Sequence, residues 1–223
     1  MISIILLTHN YRHYLDDCIN SIKRNEQSKI GEILIIDDAS TDGTKKLVLR
    51  LKKKYKKIKY YKTNFLSLSK SYNYGIKKSK YKYISKIDAD DMYNKDFLKL
   101  FFTSLKKNNY DFICGNLKLI NNKKKIIYIK KQKINNFNSI FKYPVGSGTI
   151  FKKEIWKKVK GFDETIRYQD DYDFWLKLKK LKNIKFGYLD KVAYNYRMHQ
   201  KNMSKSLIKK NIIKLYVLLK NII

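Results

Sequence analysis

Residues 84–92 read Ile84-Ser85-Lys86-Ile87-Asp88-Ala89-Asp90-Asp91-Met92, an apolar run that ends in three carboxylates within four positions. Acids are scarce in this chain, where 51 Lys+Arg stand against 19 Asp+Glu. Crowding them at one strand end marks either a solvated turn or a place that needs concentrated negative charge, such as a divalent-cation site.

Outward from this stretch, strand-like and helix-like segments alternate. Tyr81 to Ile87 is the strand that delivers the acids, and a helix through Tyr72 to Lys78 precedes it. Ser3 to Leu7 is a short apolar run, followed by a helical pattern in which Leu15, Ile19 and Ile22 share a face. Glu32 to Ile36 is another run, ending in Asp37-Asp38-Ala39-Ser40-Thr41-Asp42-Gly43-Thr44, with Ser40 or Thr41 as N-cap for a helix through Leu47 and Leu51. Ile58 to Tyr61 is a further strand. Such alternation predicts right-handed βαβ crossovers and a parallel sheet, whose ligands bind beyond the carboxyl ends of the strands. Thr8-His9-Asn10-Tyr11, Asp37-Asp38 and Asp88–Asp91 all fall at those ends. The acids converge on one rim.

The second half reads differently. Phe112 to Ile120 and Ile126 to Ile129 flank the turn Asn121-Asn122-Lys123-Lys124-Lys125 and predict a hairpin. After Tyr143-Pro144, the segment Gly146-Ser147-Gly148-Thr149-Ile150-Phe151 reads as a glycine-spaced strand with close backbone approach to a ligand. Asp170 to Leu181 has helical spacing, with Phe174, Leu178 and Leu181 together. No repeat or Gly/Ser linker divides the chain, so one domain is expected from its 223 residues.

A hydrophobic content of 43% excludes disorder despite the net charge of +32. That charge invites a nucleic-acid reading, yet only Arg12, Arg24, Arg50, Arg167 and Arg197 are arginines, the residue that reads base edges and forks phosphates. A lysine-rich solvated surface is expected, with no specific nucleic-acid partner. Cys18 and Cys114 show no metal-ligand spacing, which fits a reducing compartment. Met1 to Asn10 lacks a basic n-region, and no run approaches the ~18 apolar residues of a spanning helix, so a cytoplasmic protein is expected.

The polar clusters form an ordered set. Asp37-Asp38-x-Ser40-x-Asp42-x-Thr44 is followed by Asn73-x-Gly75 and Asp88-x-Asp90-Asp91, then Gly161-Phe162-Asp163-Glu164, Asp170-Asp171-Tyr172-Asp173-Phe174-Trp175 and Tyr196-Arg197-x-His199. In this order and spacing the chain resembles the family 2 inverting glycosyltransferases of GT-A fold, from Ser3 to about Ser204. The resemblance implies a Rossmann-like α/β architecture: a mostly parallel sheet with helices on both faces, a small hairpin and acceptor subregion, and a C-terminal amphipathic helix. Its boundaries would be 1–205 for the catalytic domain (1–115 nucleotide-sugar half, 116–205 acceptor half) and 206–223 for the helix.

It further implies a nucleotide-sugar donor, with UDP the first guess, and a glycan or lipid-linked acceptor. Thr8, Asn10 and Tyr11 would shape the base and ribose pocket, and Asp38 would accept from the base. Lys70 and Asn73 would lie along the diphosphate. Asp88 would sit near ribose and metal, Asp90 would ligate Mn²⁺ or Mg²⁺, and His199 would complete that site. Asp171 would be the general base, with Asp170 its orienter.

Helix capping is the structural reading of Asp37-Asp38 and of Asp170-Asp171, and a structural or surface residue that of His199. Two departures stand out. The 64–73 segment lacks the family's glycine, with Tyr72 in place of its usual arginine, so that Lys70 is left to supply the charge. The acidic pair is Asp-Asp instead of Glu-Asp. In the tail, Ile208, Ile212, Leu215, Leu219 and Ile222 share a face among lysines. That helix would lie at the inner face of a membrane, or pack on the domain, or on a second subunit as a homodimer. A noncatalytic scaffold and a basic nucleic-acid-binding module are the alternative functions. A sugar-nucleotide pyrophosphorylase would need glycines after the first strand, and Thr8-His9-Asn10-Tyr11-Arg12 has none.

Overall fold

The computed structural model describes residues 1–132, 146, 148–200, 202 and 207–222, with side chains from 212 to 221 in the last stretch. The first half is β1 (Ile2–Thr8), α1 (Arg12–Lys23), β2 (Ile30–Asp38), α2 (Thr44–Lys54), β3 (Ile58–Thr63), α3 (Leu68–Lys78) and β4 (Tyr83–Asp88). Its four strands lie parallel in the order β3-β2-β1-β4. Every residue of β1 is buried, as expected where helices cover both faces. Alternation then sorts its side chains. Ile2, Ile4 and Leu6 join α1 and α2 on one face, while Ile5 and Leu7 meet α3 on the other. Gly75 lets α3 approach this closely, because a Cβ there would come within 2.6 Å of Ile5 Cγ2.

The second half comprises β5 (Met92–Tyr93), α4 (Phe97–Asn108), β6 (Phe112–Ile120), β7 (Ile126–Lys130), β8 (Thr149–Lys152), α5 (Lys153–Lys158), α6 (Asp170–Lys179), β9 (Phe186–Arg197) and α7 (Leu207–Ile222). Here the sheet turns mixed. β8 runs antiparallel to both β4 and β6, β9 runs parallel to β6, and β7 pairs β6 as a hairpin. One sheet thus joins both halves of the chain.

Several expectations are corrected. The 12-residue strand β9 carries no clean alternation and was not foreseen; it exists because β6 supplies a partner 74 residues upstream. The α2 N-cap is Gly43, at φ 84°, not Ser40 or Thr41. Asp42 does the neighbouring work, accepting from the Thr44 N–H at 3.1 Å and the Arg12 N–H at 2.9 Å, so one anion serves two helix starts. The strand expected from Gly146 begins at Thr149. Gly148, at φ 71°, is needed because a Cβ would meet Tyr194 at 2.7 Å, so the close approach is to the protein's own core. Tyr143, Pro144 and Ser147 lie outside the described residues.

The tail helix does not dock by the face its sequence suggested. Ile213, Val217 and Leu218 meet the core, whereas Ile212, Leu215 and Leu219 stay exposed. The Ile208 and Ile222 side chains lie outside the described set.

Candidate active site

Register brings the polar clusters together. Thr8 pairs with Asp37 and Leu7 with Asp88, so the ends of β1, β2 and β4 form one rim. Asn10 turns the chain there at φ 57°, a left-handed conformation that asparagine tolerates. It accepts the Thr41 N–H at 2.8 Å, and its own N–H donates to Ser40 Oγ at 2.9 Å. Thr8 Oγ1 is buried with no hydrogen-bond partner, an orphan group of the kind a ligand satisfies.

Two residues expected to touch the donor are occupied otherwise. Asp38 accepts from Thr63 Oγ1, the Phe65 N–H, the Ser67 N–H and Ser71 Oγ, at 2.7 to 3.1 Å. Four bonds fill the acceptor sites of a carboxylate, so Asp38 shapes the 63–71 loop, and a base N–H must displace one of these donors. Asn73 accepts from Trp156 Nε1 and the Phe162 N–H and donates to the Phe162 carbonyl and Glu164. With all four positions used, it clamps α3 to the 156–164 segment. Lys70 is exposed on the first turn of α3.

The opening stretch divides its three acids. Asp91 is buried and structural: Tyr194 Oη donates to it at 2.8 Å and the Arg197 N–H at 2.8 Å. Asp90 lies 2.8 Å from His199 Nε2, and Tyr14 stacks on that imidazole. Asp88 accepts from Tyr72 Oη at 2.6 Å. Burial, and then the charge of Asp90, push the Asp88 carboxyl up to about 6. Burial chiefly, helped by Asp90 and Asp88, raises the Tyr11 phenol beside them.

These residues fit a hard cation. Among the described residues no three His, Cys, Asp or Glu side chains converge as a closed cage. Asp90 and His199 with Asp88 near make an open half-site, and a cation relieves the repulsion between its two carboxylates. Mg²⁺ and Mn²⁺ are commonly bound this way, by one or two carboxylates with substrate phosphates completing the shell.

The second acid pair opens α6. Asp171 accepts the Gly146 N–H at 3.2 Å and the Tyr172 N–H at 2.9 Å. Burial first, and then Asp170, raise its proton affinity, while Lys86 opposes them. Asp170 lies 3.3 Å from Lys86 Nζ. That ammonium sits 3.9 Å from the Tyr72 ring centroid and 4.1 Å from that of Phe162. Tyr72 and Lys86 therefore bridge Asp88 to Asp170.

Sequence reasoning missed Lys86. Its signal was a single cation inside a strand buried on both faces, where lysine is rare unless paired. Where the family resemblance expects an arginine on α3, the structure has Tyr72 with a cation against its face from β4.

The family model for Glycosyl transferase family 2 matches residues 3–181. The O-antigen biosynthesis glycosyltransferase WbnJ of Escherichia coli is 29% identical over 216 residues, covering 93% of this chain and 84% of WbnJ. The E. coli UDP-Glc:alpha-D-GlcNAc-diphosphoundecaprenol beta-1,3-glucosyltransferase WfgD is 26% identical, covering 94% of this chain and 81% of WfgD. The chain spans only 64% of a Rickettsia typhi glycosyltransferase that is 28% identical. S. aureus TarS 1-349 in complex with UDP-GlcNAc superposes with TM-score 0.80 at 20% identity, covering 98% of this chain and 66% of TarS 1-349. The mannosyltransferase PcManGT of Pyrobaculum calidifontis, in complex with GDP-Man and Mn²⁺, gives 0.73 at 16% identity, covering 99% and 62%. These structural likenesses establish the GT-A fold.

Proposed function

This chain belongs to glycosyl transferase family 2, and from that premise we propose that it transfers a sugar, with inversion at the anomeric carbon, from a nucleoside-diphosphate sugar to a hydroxyl of a glycan or lipid-linked acceptor in cell-surface polysaccharide assembly. The observation that carries the reading is the meeting of Asp90 with His199, 109 residues apart in sequence and 2.8 Å apart at the sheet rim. A solvated turn gives no reason for a distant imidazole to seat on one of its acids.

Under this proposal the side chains take these roles. Thr8 and Tyr11 bound the nucleoside end of the rim. Asp90 and His199, with Asp88 beside them, would hold Mn²⁺ or Mg²⁺, whose chemistry there is to offset the charge that grows on the departing diphosphate. Asp171 takes the proton of the acceptor hydroxyl as that oxygen attacks. Its two backbone donors fix the carboxylate, and burial raises its proton affinity toward that of a working base. Lys86 holds Asp170 in place by an ion pair sandwiched between aromatic faces.

UDP is the first nucleotide to test. The name of WfgD gives a UDP-glucose donor and a diphosphoundecaprenol-linked acceptor, and TarS was solved with UDP-GlcNAc. PcManGT, solved with GDP-Man, makes GDP the control. In calorimetry, UDP is expected to bind the wild-type chain at least ~10-fold more tightly with Mn²⁺ than without. Asp90→Ala is expected to erase that difference at an unchanged melting temperature. Equal UDP affinity with and without Mn²⁺ in the wild type overturns the metal assignment, and no binding of either nucleotide overturns the donor reading.

A further inference from the structure

The helix α7 is apolar on two opposite faces. One face is docked: Val217 is fully buried, Ile213 and Leu218 pack beside it, and Asn221 Nδ2 donates to Asp173 at 3.1 Å. Lys220 pairs with Asp163, and Lys214 lies over the Tyr172 ring. At about 100° per residue, Ile212, Leu215, Tyr216 and Leu219 fall together on the far side, within about a 100° arc. They are 65%, 59%, 54% and 51% exposed. A helix that only packs on its own domain presents polar residues there, so four large apolar groups in one row mark a binding surface.

Charge selects the occupant. Residues 207–223 contain Lys209, Lys210, Lys214 and Lys220 and no Asp or Glu, within a chain of net charge +32. A second copy would bring two such segments together against their mutual repulsion. A bilayer surface with anionic headgroups attracts them and accepts an apolar row at the depth of the acyl boundary. Among the described residues no helix is long and apolar enough to cross a membrane, and α7, with 16 residues, suits lying in the interface.

We propose that α7 docks the protein on anionic phospholipid through Ile212, Leu215, Tyr216 and Leu219. The last turn of α7 rests on Asp173, in the first turns of the helix that begins with Asp170 and Asp171. Docking by this row therefore brings the acid pair close to the bilayer, where a lipid-borne hydroxyl would present itself. The surface stands on exposure and charge, independent of the donor reading.

The test is co-sedimentation with vesicles of phosphatidylcholine alone and of phosphatidylcholine mixed with phosphatidylglycerol. The full chain is compared with Leu215→Glu/Leu219→Glu, and with the milder Leu215→Ser/Leu219→Ser should the first pair unfold. Melting, UDP calorimetry and light scattering are run alongside, so failure to bind vesicles is distinguishable from failure to bind nucleotide. Wild type is expected to pellet only with the anionic vesicles. The variants are expected to partition at least ~10-fold less, with melt and UDP binding unchanged. Three outcomes overturn the proposal: wild type left in the supernatant with both vesicle types, equal partition of the variants, or a dimer that the same substitutions dissolve.

Discussion

Asp171 and Asp173 are two positions apart on α6 and have opposite fates. Asp171 holds two backbone N–H groups and shares a small cavity with Lys86, Gly146 and Trp175. Asp171→Asn keeps this shape and loses the proton acceptor. Turnover is expected to fall ~10²–10⁴-fold, the range of a positioned base, with UDP affinity unchanged in calorimetry. As the proposed base, Asp171 works only when ionised, and its proton affinity is raised chiefly by burial and next by Asp170. Activity should therefore fall as pH decreases through a limb above the ordinary ~3.9 of an aspartate. Lys86 favours the ionised form, so Lys86→Met should move that limb to higher pH, while Lys86→Arg should leave it near its place. A pH–turnover profile unchanged in Lys86→Met would remove Lys86 from the machinery. The acid positions were legible in sequence because paired carboxylates at strand ends and at a helix start are rare in so basic a chain. Lys86 was not, since a lone lysine in a strand does not say which groups of a distant helix will surround it. Asn73 and Asp38 were legible as positions but not in their bonding, which depends on loops 25 to 91 residues away.

At the scale of elements, the boundary of α6 with α7 shows what local pattern conveys and what it hides. Strands β1 and β2 were recognisable within a few residues because burial on both faces writes a continuous apolar run, while the edge strand β3 and the strand β4, interrupted by Ser85 and Lys86, were recognisable from their place in the alternation with helices. Strand β9 and the docked face of α7 were hidden, because each is chosen by a partner far along the chain. Asp173 is fully buried, 2.7 Å from Lys177 Nζ and bonded to Asn221 of α7. It acts as a tie between helices, beyond the interaction with the helix dipole that its place in the first turns also provides. Asp173→Asn keeps the volume, discharges the ion pair with the partly exposed Lys177 and weakens the seat of α7. The expected loss in urea unfolding is on the order of 1–3 kcal/mol, with turnover per folded molecule unchanged. A larger loss of turnover than of stability would move the base from Asp171 to Asp173.

At the scale of the whole molecule, the excess of cations sets two responses of opposite sign. The charge of +32 comes from 51 Lys+Arg against 19 Asp+Glu, so most cations have no acid available to pair with. Their mutual repulsion opposes the compact state, and its range shrinks from ~30 Å at 0.01 M salt to ~10 Å at 0.1 M. Salt also weakens surface ion pairs such as Lys158–Glu154 and Lys29–Glu26, but exposed pairs of this kind contribute little to stability. Repulsion is the larger quantity, and the melting temperature of the purified chain should therefore rise by a few degrees from 10 mM to 300 mM sodium chloride, about what 1 kcal/mol gives in a protein of this size. Binding to anionic vesicles should move the other way, because the same ions screen attraction to the headgroups. Measuring both on one preparation separates the two effects: a melting temperature that falls with salt would mean that specific ion pairs outweigh the excess charge. In that case the lysines are structural partners, and the surface was misread as a solvated cationic coat.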